Sequence, residues 1–360
     1  MKSVYIHIPF CKSICSYCDF CKMLYHGPWV TKYLNALALE IKDKYEGEKL
    51  ETIYIGGGTP SALSEKELRY LLEIVAKFNV SDNLEYTFEC NINDISETLL
   101  SILKEYGVNR LSIGIESFDD DKLQFMERYH TFEDAGEKIK LCRKLGFNNI
   151  NLDLIYGIPN ETLKVLKKDL DLILKLEPDH ISTYSLIVED NTKVGNSKMA
   201  PIPEDLDAEM YDYIVSKLES KKYQRYEISN FSKKGKESRH NLNYWNNLEY
   251  YGFGLGASGY IDSVRYENTR SLTDYLAGKY VLKQELLTKE VSMDNELMLG
   301  LRKTEGINLQ NFYDKYGVNL QEVYNIKELL NNNDLIYDKG YLYVNKDELY
   351  IMNELLIKIL

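Results

Sequence analysis

Short apolar runs alternate with amphipathic segments from residue 3 to about residue 230. The runs are rich in β-branched and aromatic residues and predict strands. The segment 64–78 between two of them has a capping box, Ser64 with Glu67, and an apolar face at helical spacing, so it predicts a helix. Strands that alternate with helices predict right-handed βαβ units and a parallel sheet. The predicted strands are VYIHI (4–8), TIYIG (52–56), YTFEC (86–90), LSIGI (111–115), INLDLIYG (150–157), HISTYSLI (180–187) and YQRYEIS (223–229).

The number of these units favours a barrel over a doubly wound sheet. About six βα units fit an incomplete (β/α)6-type barrel over residues 1–230 better than they fit a five-stranded doubly wound sheet. The expected fold class is therefore α/β. In such barrels the functional side chains stand at the C-terminal ends of the strands.

The pattern changes after about residue 285. Three helical segments, around 293–302, 308–316 and 321–331, precede a hairpin-like stretch, LIYDKGYLYV (335–344), and a last helix. They predict a small helical, winged-helix-like C-terminal domain over 285–360. A connecting segment, 231–284, joins it to the barrel.

Charge and hydropathy restrict the partners and the location of the chain. Lys and Arg number 44 against 56 Asp and Glu, a net charge of -12, and no basic block argues for a nucleic-acid partner. The N-terminus lacks the apolar run and small-residue cleavage site of a secretory signal. No run approaches the ~18 apolar residues of a membrane span. These features predict a cytosolic protein.

Four of the six cysteines lie close together in HIPFCKSICSYCDFCKM (7–23), directly after the first strand. A long cytosolic chain is not expected to carry a disulfide framework, and zinc usually takes two separated ligand pairs. The three thiols of Cys11, Cys15 and Cys18 on one loop suit one face of a cubane iron–sulfur cluster, which leaves a fourth iron with an open coordination position. Cys21 is interpreted as a neighbour of the cluster, because a fourth ligand would close that position.

The Cys-x3-Cys-x2-Cys spacing with an aromatic residue, Tyr17, before the third cysteine resembles the radical S-adenosylmethionine superfamily. The resemblance implies a [4Fe-4S] cluster on Cys11, Cys15 and Cys18. It also implies that S-adenosylmethionine binds the open iron through its amino and carboxylate groups. In the superfamily an electron from the cluster cleaves this cofactor to a 5′-deoxyadenosyl radical.

Further strings resemble one branch of this superfamily, the oxygen-independent coproporphyrinogen III oxidase-like family. YIHIPFC, GGGTPS, NLDLIYGIP, YSLIVEDNT and HNLNYWNNLEYYGFGLGA occur in the family's order. Two residues depart from the family's pattern, Glu116 where glutamine is usual and Glu127 where glycine is usual. By the resemblance, the residues that line the S-adenosylmethionine site, with Tyr17 beside the cluster, are Tyr5, Gly57, Gly58, Thr59, Glu89, Glu116, Arg128 and Asp153.

Three features resemble the heme chaperone subgroup of the family, the HemW type, more than the true oxidases. The oxidases carry a substantial N-terminal extension, whereas this sequence has four residues before Tyr5. They also carry a further cysteine where Phe20 stands. HNLNYW (240–245) resembles the subgroup's heme-binding motif, which makes His240 the expected ligand of the heme iron, with Tyr244 and Trp245 offering flat faces to the porphyrin.

The implied partners are heme and heme-accepting proteins, among them respiratory proteins at the membrane, with peripheral membrane contact by the chain itself. Two other functions stay open. One is an oxygen-independent coproporphyrinogen III oxidase or another radical reaction on a tetrapyrrole. The other is an iron–sulfur electron-transfer module, with Cys21 as a fourth ligand.

Residues 254–259 spell G-x-G-x-x-G, the pattern of dinucleotide-binding loops. That fingerprint should open a helix after the first strand of a βαβ unit. Here it comes late and precedes the strand-like YIDSVRYEN, so it is interpreted as a close-packed loop.

Overall fold

The structure is a computed structural model that describes residues 2–190, 192–197 and 199–360, so Asn191 of the YSLIVEDNT string lies outside the described residues. The strands are β1 (Lys2–Ile8), β2 (Phe10–Cys11), β3 (Met23–Leu24), β4 (Leu50–Gly57), β5 (Val80–Asn91), β6 (Arg110–Glu116), β7 (Ile150–Tyr156), β8 (His180–Ser185), β9 (Gln224–Arg225), β10 (Asn230–Ser232), β11 (Tyr250–Phe253), β12 (Ser258–Ile261), β13 (Val264–Asn268), β14 (Val281–Leu286), β15 (Ile307–Asn308), β16 (Leu335–Asp338) and β17 (Tyr341–Val344).

The helices alternate with these strands in the first part of the chain and dominate the last part. They are α1 (Gly27–Lys44), α2 (Glu65–Val75), α3 (Glu97–Glu105), α4 (Asp120–Met126), α5 (Phe132–Lys144), α6 (Leu163–Lys175), α7 (Lys193–Asn196), α8 (Glu204–Ser220), α9 (Arg239–Trp245), α10 (Leu272–Leu276), α11 (Lys289–Gly300), α12 (Leu309–Tyr316), α13 (Leu320–Val323), α14 (Lys327–Asn331) and α15 (Met352–Ile359), with short 3-10 turns at Pro60–Ala62, Ile92–Asp94 and Lys346–Ile351. None of the helices described is long and apolar enough to cross a membrane.

Six parallel strands form the centre of one sheet, in the order β1-β4-β5-β6-β7-β8. The sheet does not close in the described residues: β11 pairs with the free side of β1, and β10 pairs antiparallel with β8. The predicted α/β class and incomplete barrel are confirmed. The C-terminal ends of the six strands face the same way, so they bring side chains distant in sequence to one mouth.

The seventh predicted strand, 223–229, is wrong as a unit of the barrel. Only Gln224–Arg225 is a strand, and it pairs antiparallel with β10. The chain bends there because polar groups hold it to other parts of the barrel. The Tyr226 hydroxyl is hydrogen-bonded to His180 at 2.8 Å, and Glu227 accepts from the backbone N–H of Ser229 at 3.2 Å. The run therefore forms a turned edge rather than a further βα unit.

The C-terminal part has its own apolar core, built from α11 to α15 and the β16–β17 hairpin. The predicted helix 321–331 is wrong, since it is two short helices, α13 and α14. Tyr324 between them has extended backbone, its ring is buried, and its hydroxyl donates to Asp294 at 2.6 Å. Burial of this ring takes precedence over continuation of the helix.

The glycine-rich loop lies between β11 and β12 and opens no helix, which agrees with its interpretation as a close-packed loop. Gly254 has φ +100°, and a Cβ there would lie 2.5 Å from the carbonyl oxygen of His7. The fully buried carboxylate of Glu40 on α1 holds the loop, accepting from the N–H of Gly254 at 2.9 Å and from the Tyr275 hydroxyl at 2.7 Å. Asn268 donates to the same carboxylate at 2.7 Å.

Replacing Glu40 with alanine is expected to lower the free energy of unfolding by about 3 kcal/mol, because several buried donors lose their acceptor at once. Urea denaturation of the variant measures this difference. Glu73→Ala, on the exposed face of α2, is the matched control and should stay within ~0.5 kcal/mol of the wild type. Similar values for the two variants would contradict an anchoring role for Glu40.

Candidate functional site

A cavity of about 580 Å³ opens at the C-terminal ends of the barrel strands. Most residues that the sequence assigns to the cluster and cofactor line it together, although they come from separate strand ends and loops. Tyr5 and His240 are not among the lining residues. The predicted residues that line the cavity are Cys11, Cys15, Tyr17, Cys18, Gly57, Gly58, Thr59, Glu89, Glu116, Arg128 and Asp153.

The three cysteines of the motif reach the cavity from one loop. The loop begins at β2 and ends at β3, which pair as a small sheet of their own, and the N–H of Thr59 ties β2 to the end of β4 through the carbonyl of Phe10 at 2.9 Å. Gly58 has to be a glycine, because a Cβ there would lie 2.9 Å from the sulfur of Cys11. Within the described residues, no three His, Cys, Asp or Glu side chains converge on a single-ion position.

The thiols of Cys11, Cys15 and Cys18 are the kind of ligand that iron–sulfur clusters take in proteins. The thiols are free, and burial raises the pKa of Cys11 to about 11 and also raises the pKa of Cys18. Both groups therefore hold their protons until a metal replaces them, so cluster binding would release protons.

Cys21 faces a different part of the molecule. It is not among the residues that line the cavity. A Cβ on Gly256 of the glycine-rich loop would lie 3.2 Å from the Cys21 sulfur. The fourth cysteine of the motif therefore packs against that loop.

His7 is a residue of the site that the sequence analysis did not single out. Its Nε2 donates to the carbonyl oxygen of Cys21 at 2.6 Å, and its Nδ1 accepts from the Tyr5 hydroxyl at 3.0 Å. Tyr5 therefore supports the cysteine loop through His7 rather than from the cavity wall. The one sequence signal was the i, i+2 spacing on β1, which places Tyr5 and His7 on the same face of the strand.

Glu89 at the end of β5 is a buried carboxyl held in a fixed position. One oxygen accepts from the Tyr54 hydroxyl at 2.7 Å and the other from the N–H of Gly57 at 2.9 Å. Burial raises the pKa of Glu89 to about 7 despite these two hydrogen bonds, and the nearby carboxyls of Asp153 and Glu116 raise it further. The site can therefore accept a positive charge.

This pKa predicts a pH effect on stability. The folded chain keeps the Glu89 proton up to about pH 7, whereas the unfolded chain releases it near the ordinary glutamate pKa of 4.5. Between these values the folded state binds more protons, so the free energy of unfolding falls as the pH rises. From pH 5 to pH 8 the wild type should lose about 2 to 3 kcal/mol more than Glu89→Gln, measured by urea denaturation. Parallel pH profiles for the two proteins would refute the assignment.

Glu116 and Arg128 form an ion pair at the mouth, 3.6 Å apart and both largely buried. Burial raises the pKa of Glu116 to about 7, and the charge of Arg128 opposes the shift. Arg128 Nη1 also lies 3.9 Å from the sulfur of Cys15. Glu116, which stands where the family usually has glutamine, is thus already paired with the guanidinium of Arg128. A ligand carboxylate has to compete with Glu116 for this guanidinium.

Glu127, the other departure, ends α4 in the left-handed conformation with φ 58°. Glycine adopts this conformation without strain, which accounts for the usual residue at this position. The Glu127 carboxylate points away to an ion pair with Lys193 at 2.6 Å. Arg128 still reaches the cavity.

Asp153 on β7 lies deeper in the cavity. Its Oδ1 accepts from the side-chain amide of Asn151 at 2.7 Å. Burial raises the pKa of Asp153, and hydrogen bonds from Asn151 and Ser182 act against that rise. Nothing in the sequence indicated the supporting roles of Asn151 and Ser182. Polar side chains within a strand usually belong to its solvent-exposed face, and here they face the cavity.

The mouth of the cavity carries exposed apolar side chains. Phe20 is 69% exposed, Ile187 is 72% exposed and Tyr184 is 43% exposed, and all three line the cavity. We call these three residues the apolar rim. They form a surface on which a flat apolar ligand can lie.

His240 lies on α9, which is hydrogen-bonded to Ser3 of β1, Thr52 of β4 and Glu85 of β5, and its ring lies 5.1 Å from that of Tyr54 on the cavity wall. Its side chain is 1% exposed. Nδ1 is hydrogen-bonded to the Thr52 hydroxyl at 2.7 Å and Nε2 to the Tyr244 hydroxyl at 2.8 Å. Burial lowers the pKa of His240 to about 3, so the ring is neutral. Both nitrogens are engaged, and His240 is not among the residues that line the cavity.

Comparison with known proteins identifies relatives of this chain. The profile of the Radical SAM superfamily matches residues 5–173, and that of the HemN C-terminal domain matches residues 287–350. The protein described as heme chaperone HemW of Bacillus subtilis is 41% identical and covers 98% of this chain and 96% of its own. That of Lactococcus lactis is 38% identical, with 99% and 97% covered.

One solved structure matches the fold closely. The radical SAM enzyme coproporphyrinogen III oxidase (HemN) of Escherichia coli superposes with a TM-score of 0.85 over 98% of this chain and 88% of its own. The two sequences are 20% identical. The likeness therefore concerns the fold alone.

Proposed function

The chain belongs to the heme chaperone HemW family of the radical SAM superfamily, and from this membership we propose that it binds heme and passes it to acceptor proteins. The observation that carries the proposal is the similarity to HemW relatives at up to 41% identity over almost the whole of both chains. It extends through the barrel, the connecting segment and the C-terminal domain.

We infer that Cys11, Cys15 and Cys18 hold a [4Fe-4S] cluster with one open iron for S-adenosylmethionine. The superfamily match spans all three cysteines, and they line one cavity, whose lining also includes Cys90 of β5 but not Cys21. When bound, the cluster supplies the electron that can cleave the cofactor.

The polar residues of the cavity have complementary tasks in this proposal. Glu89, held by Tyr54 and Gly57, accepts a hydrogen bond from the amino group of S-adenosylmethionine. Arg128 takes its carboxylate in competition with Glu116. Asp153 accepts from the ribose hydroxyls. Together these residues orient the cofactor and keep water from it.

For heme, the proposal assigns His240 as the iron ligand and the apolar rim as the first contact. Apolar side chains at the edge of a cavity are typical of ligand and partner surfaces. Because both nitrogens of His240 are already hydrogen-bonded, ligation requires α9 to move and the bond to Tyr244 to break. The chain would then pass between a closed form and a heme-binding form.

The test is an anaerobic heme titration of the cluster-loaded chain, followed by the Soret absorption. We expect saturable binding of a single equivalent that survives gel filtration. Ile187→Ser on the apolar rim should weaken binding several-fold, since an apolar contact is lost. Ile357→Ser is the matched control, because this residue is 80% exposed in the C-terminal domain. Non-saturable binding, or equal effects of the two variants, would contradict the proposal.

A further inference from the structure

Arg110 is a buried positive charge inside the cavity. It is the first residue of β6, and side chains at alternate positions of a strand share a face. Ser112, Gly114 and Glu116 follow it on that face, and all four line the cavity. At ~3.3 Å per residue, Arg110 begins about 20 Å deeper along the strand than Glu116. It therefore belongs to the floor of the cavity.

The guanidinium of Arg110 forms no salt bridge with any of the residues that the structure describes. The residue is 2% exposed, and its Nε has no hydrogen-bond partner. Buried charges without a counter-ion are rare in folded proteins.

The neighbouring acids form no contact ion pair with Arg110, although its charge acts against the burial that raises the pKa of Asp153. Asp153 accepts from Asn151, and Glu89 accepts from Tyr54 and Gly57. Glu85 accepts from the N–H groups of Arg239 and His240 at the start of α9. The positive charge of Arg110 acts through the interior, where it adds to the effect of burial in lowering the pKa of His240.

We infer that Arg110 is a carboxylate-binding residue for the ligand that fills the cavity floor. The carboxylate is a propionate of the heme, a ligand of the proposed function on which this inference rests, because the carboxylate of S-adenosylmethionine is assigned to Arg128 at the mouth. A guanidinium offers two parallel N–H donors to a carboxylate and pairs with it strongly in a dry cavity.

The experiment pairs each ligand with a form that lacks the free carboxylate. Heme is compared with heme dimethyl ester, and S-adenosylmethionine with its decarboxylated analogue, on cluster-loaded wild type and Arg110→Gln. In the heme pair we expect Arg110→Gln to weaken binding of heme by about tenfold or more and to change binding of the ester less than twofold. In the S-adenosylmethionine pair we expect equal effects on the two forms, and a loss confined to S-adenosylmethionine would overturn the assignment to a propionate. Arg110→Lys, which keeps the charge, should recover part of the affinity.

The controls separate the possible failures. Arg225→Gln removes another buried guanidinium whose Nε is unpartnered and which does not line the cavity, so its effect should not depend on a ligand carboxylate. If the wild type binds neither ligand, the proposed function fails. If it binds them and Arg110→Gln weakens heme and heme dimethyl ester equally, only this inference fails. Failure of both Arg110 variants to fold would make the residue a structural cation and would also overturn it.

Discussion

Replacing Cys15 with alanine is expected to abolish assembly of the iron–sulfur cluster, whereas replacing Cys21 with alanine is expected to leave it intact. The two cysteines lie on the same loop, but Cys15 lines the cavity with Cys11 and Cys18, and Cys21 packs against Gly256. Loss of one of three thiolates leaves two protein ligands for the cluster, too few to retain it.

The measurement is iron and sulfide content after anaerobic reconstitution, together with the broad visible absorption of the cluster. Wild type and Cys21→Ala should reach about four irons per chain, and Cys15→Ala should stay near zero. Thermal melting of the apo proteins shows whether each variant folds. A cluster retained in Cys15→Ala would contradict the assignment, and a cluster lost in both variants would make Cys21 a fourth ligand and favour the electron-transfer module.

Replacing His240 with alanine is expected to weaken heme binding by about 10- to 100-fold, because the iron loses its axial ligand. His180→Ala is the matched control. His180 is also fully buried in the barrel, with its ring nitrogens hydrogen-bonded to Asn151 and Tyr226. Both variants should lose stability to a similar extent, and only His240→Ala should lose heme affinity in a Soret titration.

Tyr244→Phe is expected to destabilise the closed form and so to raise heme affinity, the opposite of the effect expected for His240→Ala. The change removes the hydrogen bond to Nε2 of His240, which is worth about 1 kcal/mol. The heme-binding form is then more populated, and heme affinity should rise about fivefold. Unchanged affinity in Tyr244→Phe, together with unchanged affinity in His240→Ala, would remove His240 from the heme site.

The barrel and the cysteine loop could be predicted from the sequence because both depend on local patterns. Strand and helix periodicities fix the order of the elements, and a parallel sheet then brings their C-terminal ends to one side. Glu89, Glu116 and Asp153 lie at or near strand ends, so their convergence in one cavity follows from topology. Their raised pKa values depend on burial, which periodicity does not give.

The remaining features depend on contacts distant in sequence. His7 supports the cysteine loop through a carbonyl fourteen residues away. Arg110 at the start of a strand looks like a solvated end until the barrel encloses it. The run 223–229 has strand composition, but Tyr226 is held by His180, and the helix break at Tyr324 is set by burial of its ring. In each case tertiary packing overrides local propensity.

Product analysis under anaerobic conditions tests the central claim, that this member of the radical SAM superfamily carries heme rather than converting a tetrapyrrole. Cluster-loaded chain is incubated with S-adenosylmethionine, a reductant and coproporphyrinogen III, while the same preparation is titrated with heme. We predict a saturable heme complex and coproporphyrinogen III that keeps all of its propionates. Repeated turnover to protoporphyrinogen would contradict the chaperone assignment and make the chain an oxidase.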